Sequence, residues 1–205
     1  MAKTPRFVAQ QLSFPRGILG RVIVRLMNRG NANINAFALQ QLDLIPADRI
    51  LEIGFGGGKL LEKLVGTASF VAGVDRSAYA VKRARARFAG ALTAGHADFR
   101  EGSVEAIPFQ PHSFTKVCTV HTVYFWSSLS EGFEQIHRVL APGGRLVVGF
   151  LPREKMEKLA LPPDIFTMRT PEEVTDAIRR AGFGDVQIQR PREKTPWNVI
   201  IATRD

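Results

Sequence analysis

A glycine-rich segment directly after an apolar run is the part of this sequence with the clearest capacity for chemistry. Glu52 lies in the apolar run, and Gly54, Gly56 and Gly58 follow at every second position. Glycines allow the backbone to come within contact distance of a ligand, and the free amides of such a turn can face a negative group. The segment therefore predicts a binding site for a nucleotide-like ligand.

Two common phosphate-binding motifs do not fit this segment. A Walker P-loop requires Ser or Thr after Gly-Lys, whereas Leu60 follows Lys59. The dinucleotide fingerprint Gly-x-Gly-x-x-Gly fails in both registers, because Lys59 and Leu61 stand where its third glycine is needed. What remains is acidic-x-Gly-x-Gly-x-Gly. An acidic side chain beside glycine amides suits a ligand with an amino-acid end, which carries both an ammonium and a carboxylate.

Further polar residues follow the next apolar runs along the chain. Asp75 ends the second run, where a carboxylate can accept hydrogen bonds from two ribose hydroxyls. Ser103 and Val104 lie in the segment 100–109 after the third run, and His121 follows the fourth. Because ligands of open α/β sheets bind at the carboxyl ends of the strands, we expect these residues to lie near one site.

These motifs resemble, in type and order, those of class I S-adenosylmethionine-dependent methyltransferases. The resemblance runs from Asp48 to the end of the sequence. It covers the glycine turn, the loop 100–109, the segment His-Thr-Val-Tyr-Phe-Trp at 121–126, and the helix, Leu-x-Pro-Gly-Gly turn and strand at 134–148. The sequence is most similar to the small methyltransferases grouped with quinone-biosynthesis enzymes. It departs from the family pattern at Ser103, where relatives have aspartate, and at His121, where they often have asparagine.

The resemblance implies S-adenosylmethionine as the cofactor and a small molecule as the methyl acceptor, with in-line transfer between them. The residues that it assigns to the cofactor are Glu52, Gly54, Gly56, Gly58, Asp75, Arg76, Ser103, Val104 and His121. The residues that we expect to contact the acceptor are Tyr124, Trp126, Met156 and Phe166. Packing of Tyr124 and Trp126 against the N-terminal helices is the alternative for those two rings.

His121 and Tyr124 are the candidate catalytic residues. A histidine at this position, with a pKa near neutrality, is suited to act as a base for a protonated acceptor. His121 can equally form a hydrogen bond with the cofactor or the backbone, and the sequence leaves both roles open. Cys118 lies in an apolar run and is predicted to be a core thiol, and no His/Cys/Asp/Glu grouping has metal-ligand spacing.

Short apolar runs alternate with helical patterns, which predicts an α/β fold. We expect a Rossmann-like, seven-stranded, mostly parallel sheet with one antiparallel strand and helices on both faces. The predicted strands are 49–53, 70–74, 97–100, 114–120, 144–150, 186–189 and 198–203. The predicted helices are 59–65, 78–88, 130–140 and 171–181.

The first part of the chain differs in character from the rest. Residues 1–45 are predicted to form a helical extension or lid, and residues 46–205 the S-adenosylmethionine-binding domain. The region 16–35 and the segment 151–169 together are expected to cover the acceptor, since loops at this edge of a sheet carry specificity. Arg21, Arg25 and Arg29 form a basic stripe on the first predicted helix.

The chain is strongly basic, with a formal net charge of +9. Positive charge suits an anionic partner, so the alternative function is a methyltransferase-fold protein that binds lipid headgroups or nucleic acid. The basic residues are dispersed, which disfavours nucleic acid, while peripheral contact with a membrane stays open. No apolar stretch is long enough to span a bilayer, and a cytoplasmic location is expected. The sequence does not specify the acceptor or the oligomeric state.

Overall fold

A single seven-stranded sheet forms the centre of the protein. The structure is a computed structural model that describes residues 5–13 and 30–205. The strands are β1 (Arg49–Ile53), β2 (Phe70–Asp75), β3 (Ala97–Glu101), β4 (Phe114–Val120), β5 (Leu140–Phe150), β6 (Phe183–Gln189) and β7 (Asn198–Arg204). They are arranged in the order β3-β2-β1-β4-β5-β7-β6.

The strand directions confirm the predicted sheet. β1 pairs in parallel with both β2 and β4, and β2–β3 and β4–β5 are also parallel pairs. β7 runs antiparallel to its neighbours β5 and β6 and is the one reversed strand. The short connection between β6 and β7 forces this reversal, because parallel neighbours require a long crossover.

Helices cover both faces of the sheet, as expected. The α-helices of the described residues are α1 (Arg6–Ser13), α2 (Ala32–Leu42), α3 (Leu61–Leu64), α4 (Ala78–Arg87), α5 (Ala89–Thr93), α6 (Leu129–Val139), α7 (Arg153–Met156) and α8 (Pro171–Arg180). α8 begins at the predicted capping box, in which the Thr170 hydroxyl accepts from the Glu173 amide and the Glu173 carboxylate accepts from the Thr170 amide.

Alternate residues of the strands belong to two different cores. Ile50 packs in one buried cluster with α2, α3 and α4, whereas Leu51 packs in the other with α6 and α8. This alternation follows from the two-residue period of a strand, which sends neighbouring side chains to opposite faces. Cys118 is a fully buried free thiol in the first of these cores, as predicted.

Several element boundaries differ from the prediction. The helix after the glycine turn covers only Leu61–Leu64 instead of 59–65, because the chain first closes a turn from the Gly58 amide to the Phe55 carbonyl. β5 begins at Leu140 instead of 144, since Leu140 pairs with Phe114 before a bulge shifts the register. β6 likewise begins three residues early and contains a bulge. Bulges insert unpaired residues that a two-residue pattern does not reveal.

The N-terminal region is described only in part. α1 buries Ala9 in the same core as α6 and α8, and the exposed Arg6 side chain forms an ion pair of 2.6 Å with Asp164. Arg21, Arg25, Arg29 and most of the region 16–35 lie outside the described residues. The division at residue 45 therefore stays a prediction. Within the ranges 5–13 and 30–205, no helix is long and apolar enough to cross a membrane.

Candidate functional site

The carboxyl ends of β1 and β2 bring the first group of predicted residues together. Glu52 and Ile53 on β1 pair with Gly73 and Val74 on β2, so the glycine turn after β1 lies beside Asp75. The Gly56 amide donates to Asp75 Oδ2 at 2.7 Å, and the Ser77 amide donates to Asp75 Oδ1 at 2.9 Å. The two acidic residues and the glycine turn thus form one cluster.

The backbone of the turn requires glycine at its alternate positions. Gly54, Gly56 and Gly58 have φ values of +71°, +45° and +68°. These values lie in the left-handed region, which side chains with a Cβ rarely adopt. A Cβ on Gly54 would also lie 2.4 Å from Thr122 Cγ2, whereas a Cβ on Gly56 would meet nothing within 4 Å. Packing as well as backbone conformation therefore requires glycine at position 54, whereas the space beside Gly56 is open.

Glu52 is a buried carboxylate with an unsatisfied oxygen. Its side chain is 6% exposed, and its Oε2 has no hydrogen-bond partner among the described residues. Burial, and next the nearby charge of Asp75, raise the pKa of Glu52 to about 8. Burial also raises the pKa of Asp75, against the amides of Gly56 and Ser77, which lower it. Two buried acids close enough to influence each other's ionisation favour a cationic group beside them.

A chain of hydrogen bonds connects β1 to the loop after β4. Thr119 Oγ1 donates to the Ile53 carbonyl at 3.0 Å, and the Thr119 and Thr122 hydroxyls are hydrogen-bonded to each other. Trp126 Nε1 donates to Thr122 Oγ1 at 3.1 Å. Because Thr119 uses its proton on Ile53, the Thr122 proton must point to Thr119. This chain fixes the aromatic loop directly against the start of the glycine turn.

His121 lies immediately after β4 in a left-handed conformation, with φ of +59°. Its amide donates to the Gly149 carbonyl at 2.7 Å, and its Nδ1 lies 2.9 Å from the Tyr124 hydroxyl. The expected pKa near neutrality is wrong, since burial lowers the pKa of His121 to about 4. Burial raises the pKa of Tyr124, although the amide of Leu151 donates to its hydroxyl.

A cavity of about 790 Å³ lies beside this loop. Tyr124 and Trp126, two of the residues predicted to contact the acceptor, line it, although both are largely buried. The other lining residues are Gln10, Gln11, Arg76, Phe125, Ser127, Asp164, Ile165 and Thr167. The two remaining residues predicted to contact the acceptor do not line this cavity. Met156 and Phe166 are 2% and 6% exposed and pack in the core, because apolar side chains of the segment 151–169 turn inward.

The three remaining cofactor candidates are spread along the same edge. Arg76 is exposed, and its guanidinium carbon lies 5.3 Å from the centre of the Phe125 ring. Ser103 is exposed and its side chain is hydrogen-bonded to Glu105, while Val104 is buried. Residues 5–13 and 30–205 contain no group of three His, Cys, Asp or Glu side chains that could hold a metal ion.

Sequence reasoning missed several residues of this site. Thr119 and Thr122 are ordinary polar residues in sequence, and only the pairing of β4 with β1 reveals their contacts. The available signal was the position of Thr119, a polar residue within the apolar second half of β4. Gln10 and Gln11 carry no sequence signal, because α1 reaches the cavity through tertiary packing alone.

Comparison with known proteins supports the interpretation of this geometry. A family model described as a methyltransferase domain matches residues 51–148. The uncharacterized methyltransferase YdaC of Bacillus subtilis is 29% identical over 181 residues, which cover 87% of this chain and 95% of YdaC. The ubiquinone/menaquinone biosynthesis C-methyltransferase UbiE of Geotalea daltonii is 31% identical over 115 residues, which cover 55% of this chain and 49% of UbiE.

A solved structure shows the same fold. It is a SAM-dependent methyltransferase from Thermotoga maritima, described as a possible histamine N-methyltransferase, with a TM-score of 0.64 and 24% identity. The match covers 89% of this chain and 96% of that one. This chain contains a region that matches a methyltransferase domain and shares its fold with a SAM-dependent methyltransferase, as expected for class I of these enzymes. It is thus an S-adenosylmethionine-dependent methyltransferase, as the sequence motifs predicted.

Proposed function

We propose that the protein transfers a methyl group from S-adenosylmethionine to a small-molecule acceptor by in-line displacement, at the edge formed by the ends of β1, β2 and β4. The observation that carries the proposal is the unsatisfied Oε2 of Glu52, a buried carboxylate beside the glycine turn. A buried carboxyl oxygen without a hydrogen-bond partner is costly, so this oxygen calls for a donor from a ligand, and a cationic donor would also favour the ionised form of Glu52. The α-ammonium of S-adenosylmethionine is such a cationic donor.

The other cofactor candidates fit the remaining parts of S-adenosylmethionine. The glycine turn offers backbone amides to its carboxylate, and each oxygen of Asp75 keeps lone pairs for the ribose hydroxyls beside the amide that it already accepts. The Ser103 hydroxyl can accept from the adenine amino group without charge assistance, or adenine can use the Val104 amide. Arg76 and His121 border the site from opposite sides of the glycine turn. The buried acids and the open face of Gly56 are what support this arrangement.

When it is bound, S-adenosylmethionine supplies an electrophilic methyl group on a sulfonium. The residues of this chain then have to align the acceptor with that methyl group and exclude water. Tyr124 and Trp126 serve this purpose, because both rings are held by hydrogen bonds and present apolar surface to the cavity. Their faces can also stabilise a cationic group by cation–π contact.

The cavity supports a small acceptor. Its volume of about 790 Å³ falls within the roughly 300–1,000 Å³ typical of small-molecule sites. Both UbiE and the Thermotoga enzyme carry names that refer to small molecules, a quinone and histamine. The family assignment favours this function over the alternative of an anionic lipid or nucleic acid partner.

Calorimetry with S-adenosylmethionine and S-adenosylhomocysteine tests the cofactor site. We expect binding by the wild type and at least about a tenfold loss in Glu52→Gln, since one charge-assisted hydrogen bond contributes about 1.5–3 kcal/mol. Glu131→Gln, on the exposed start of α6, is the matched control and should bind normally. Equal affinity in Glu52→Gln would refute the role given to Glu52.

A mass-spectrometric screen for transfer of one methyl group tests the acceptor class. Phenols, quinols, thiols, amines and phospholipids form the panel. Methylation of a free small molecule is the expected result. No cofactor binding, together with steeply salt-dependent binding to nucleic acid or anionic vesicles, would overturn the proposal in favour of the anionic-partner alternative.

A further inference from the structure

We propose that Tyr124 holds His121 in the tautomer that carries its proton on Nε2, so that His121 donates a hydrogen bond to the methyl acceptor instead of removing a proton from it. This inference rests on the proposed function and deepens it. It assigns Tyr124 as a positioning residue and His121 as the residue that contacts the acceptor.

A tyrosine hydroxyl has one proton to donate and lone pairs to accept with. The Leu151 amide can only donate, so it uses a lone pair of the Tyr124 oxygen. The Tyr124 proton then needs an acceptor, because the residue is only 5% exposed and buried donors are almost always paired. The acceptor in reach is His121 Nδ1, at 2.9 Å. Nδ1 therefore accepts, and the proton of the neutral ring sits on Nε2.

The position of the ring is fixed from two sides. The His121 amide donates to the Gly149 carbonyl on β5, which holds the residue in its left-handed conformation. The ring lies nearly parallel to that of Tyr124, with an interplanar angle of 27°. His121 is half-buried, and its Nε2 forms no hydrogen bond with a residue of the described ranges. Nε2–H is thus the edge of the ring left for a ligand.

The protonation states agree with this account. Burial lowers the pKa of His121, so the ring is neutral at physiological pH, and burial raises the pKa of Tyr124, so its proton stays in place. The lowering of the His121 pKa comes from desolvation. The lone pair that a base would need is the one on Nδ1, and the Tyr124 hydroxyl covers it.

This arrangement defines a class of acceptor. A ring that presents N–H to the acceptor cannot take its proton, so the acceptor must arrive as a nucleophile. The Nε2–H donor complements an ionised oxygen, and Tyr124, whose hydroxyl lies 2.9 Å from Nδ1 of the same ring, lines the cavity. We therefore infer an acceptor that carries an oxyanion in water at neutral pH, such as a carboxylate or an acidic phenol. Its lone pair forms the new bond to the methyl carbon as the sulfonium bond breaks.

Long-range proton–nitrogen NMR of histidine-labelled protein tests the tautomer without any substrate. His121→Asn identifies the His121 signals among those of the four histidines. We expect a proton on Nε2 and none on Nδ1 between pH 5 and 8. Tyr124→Phe should shift this ratio towards mixed tautomers, whereas Phe125→Leu, on the same loop, should leave it unchanged. A proton on Nδ1 of the wild type would overturn the proposal.

Kinetics with an acceptor from the screen give an independent test. Glutamine can place its N–H donor where His121 has Nε2–H but is no base, so His121→Gln should keep kcat within about tenfold of the wild type while His121→Ala does not. If His121 were the base, both variants would lose the ~10²–10⁴-fold that general base catalysis contributes. That result would overturn the inference. Absence of methyl transfer to every acceptor would refute the proposed function instead, and the NMR result would still decide the tautomer.

Discussion

Cofactor binding should release a proton from the protein, and Glu52 should be its source. In the free protein, burial and the neighbouring Asp75 raise the pKa of Glu52 to about 8. With that pKa, about nine-tenths of the Glu52 carboxyls carry a proton at pH 7. A ligand ammonium beside Oε2 favours the ionised form. Binding at pH 7 should therefore release about 0.9 proton per site from Glu52.

Calorimetry in buffers of different ionisation enthalpy measures this proton directly. The slope of the observed binding enthalpy against the buffer enthalpy is the number of protons exchanged. S-adenosylhomocysteine is the suitable ligand, because it is not consumed. Its own α-amino group is mostly protonated at pH 7 and takes up at most a small fraction of a proton. Glu52→Gln keeps this contribution, so the difference between the two proteins isolates Glu52.

The reasoning fails if the wild type and Glu52→Gln give the same slope. It also fails if the wild type takes up protons on binding while the variant does not. Glu52 would then gain a proton instead of losing one, which would mean that Glu52 is ionised before the ligand arrives. At about pH 9 the release should fall to roughly 0.1 proton, because a group with a pKa of about 8 is then already ionised.

Three other measurements give separate tests. The pKa of Glu52 rises from 4.5 to about 8 on folding. The unfolding free energy of the ligand-free protein should therefore fall as the pH rises through this window, by at most about 5 kcal/mol. Urea denaturation of Glu52→Gln should show a flatter dependence of the unfolding free energy on pH. Gly54→Ala should lose about 1–3 kcal/mol of stability through backbone strain and its contact with Thr122, and Thr122→Ser, which removes Cγ2, should restore part of this loss. Asp75→Ala should weaken S-adenosylhomocysteine binding by about 100-fold in calorimetry, whereas Asp98→Ala, at an ion pair with Arg100 on β3, should not.

The sequence predicted the fold and the glycine turn well because both depend on local patterns. The apolar runs determine which segments become strands, and the spacing of Gly54, Gly56 and Gly58 reflects backbone angles that those residues themselves adopt. The antiparallel β7 was also predictable, since the segment before it is too short for a crossover.

The properties of the site depended on tertiary contacts, and there the sequence was a poorer guide. Met156 and Phe166 lie in a segment whose apolar side chains could equally line a cavity or fill a core, and they fill the core. The pKa of His121 depends on burial and not on its place after β4, so the expected near-neutral value was wrong. The raised pKa of Glu52 needs Asp75 from the neighbouring strand as well as burial.

The hydrogen-bond chain from Trp126 through Thr122 and Thr119 to Ile53 has a consequence for changing the acceptor range of the enzyme. Hydrogen bonds connect Trp126, on one wall of the cavity, to β1, the strand that leads into the glycine turn. A new side chain at Trp126 would therefore also disturb the proposed cofactor-binding site. Phe125 contributes a ring to the same cavity and takes no part in that chain. Libraries aimed at new acceptors should therefore vary Phe125 and Ile165, which both line the cavity, and leave Trp126 intact.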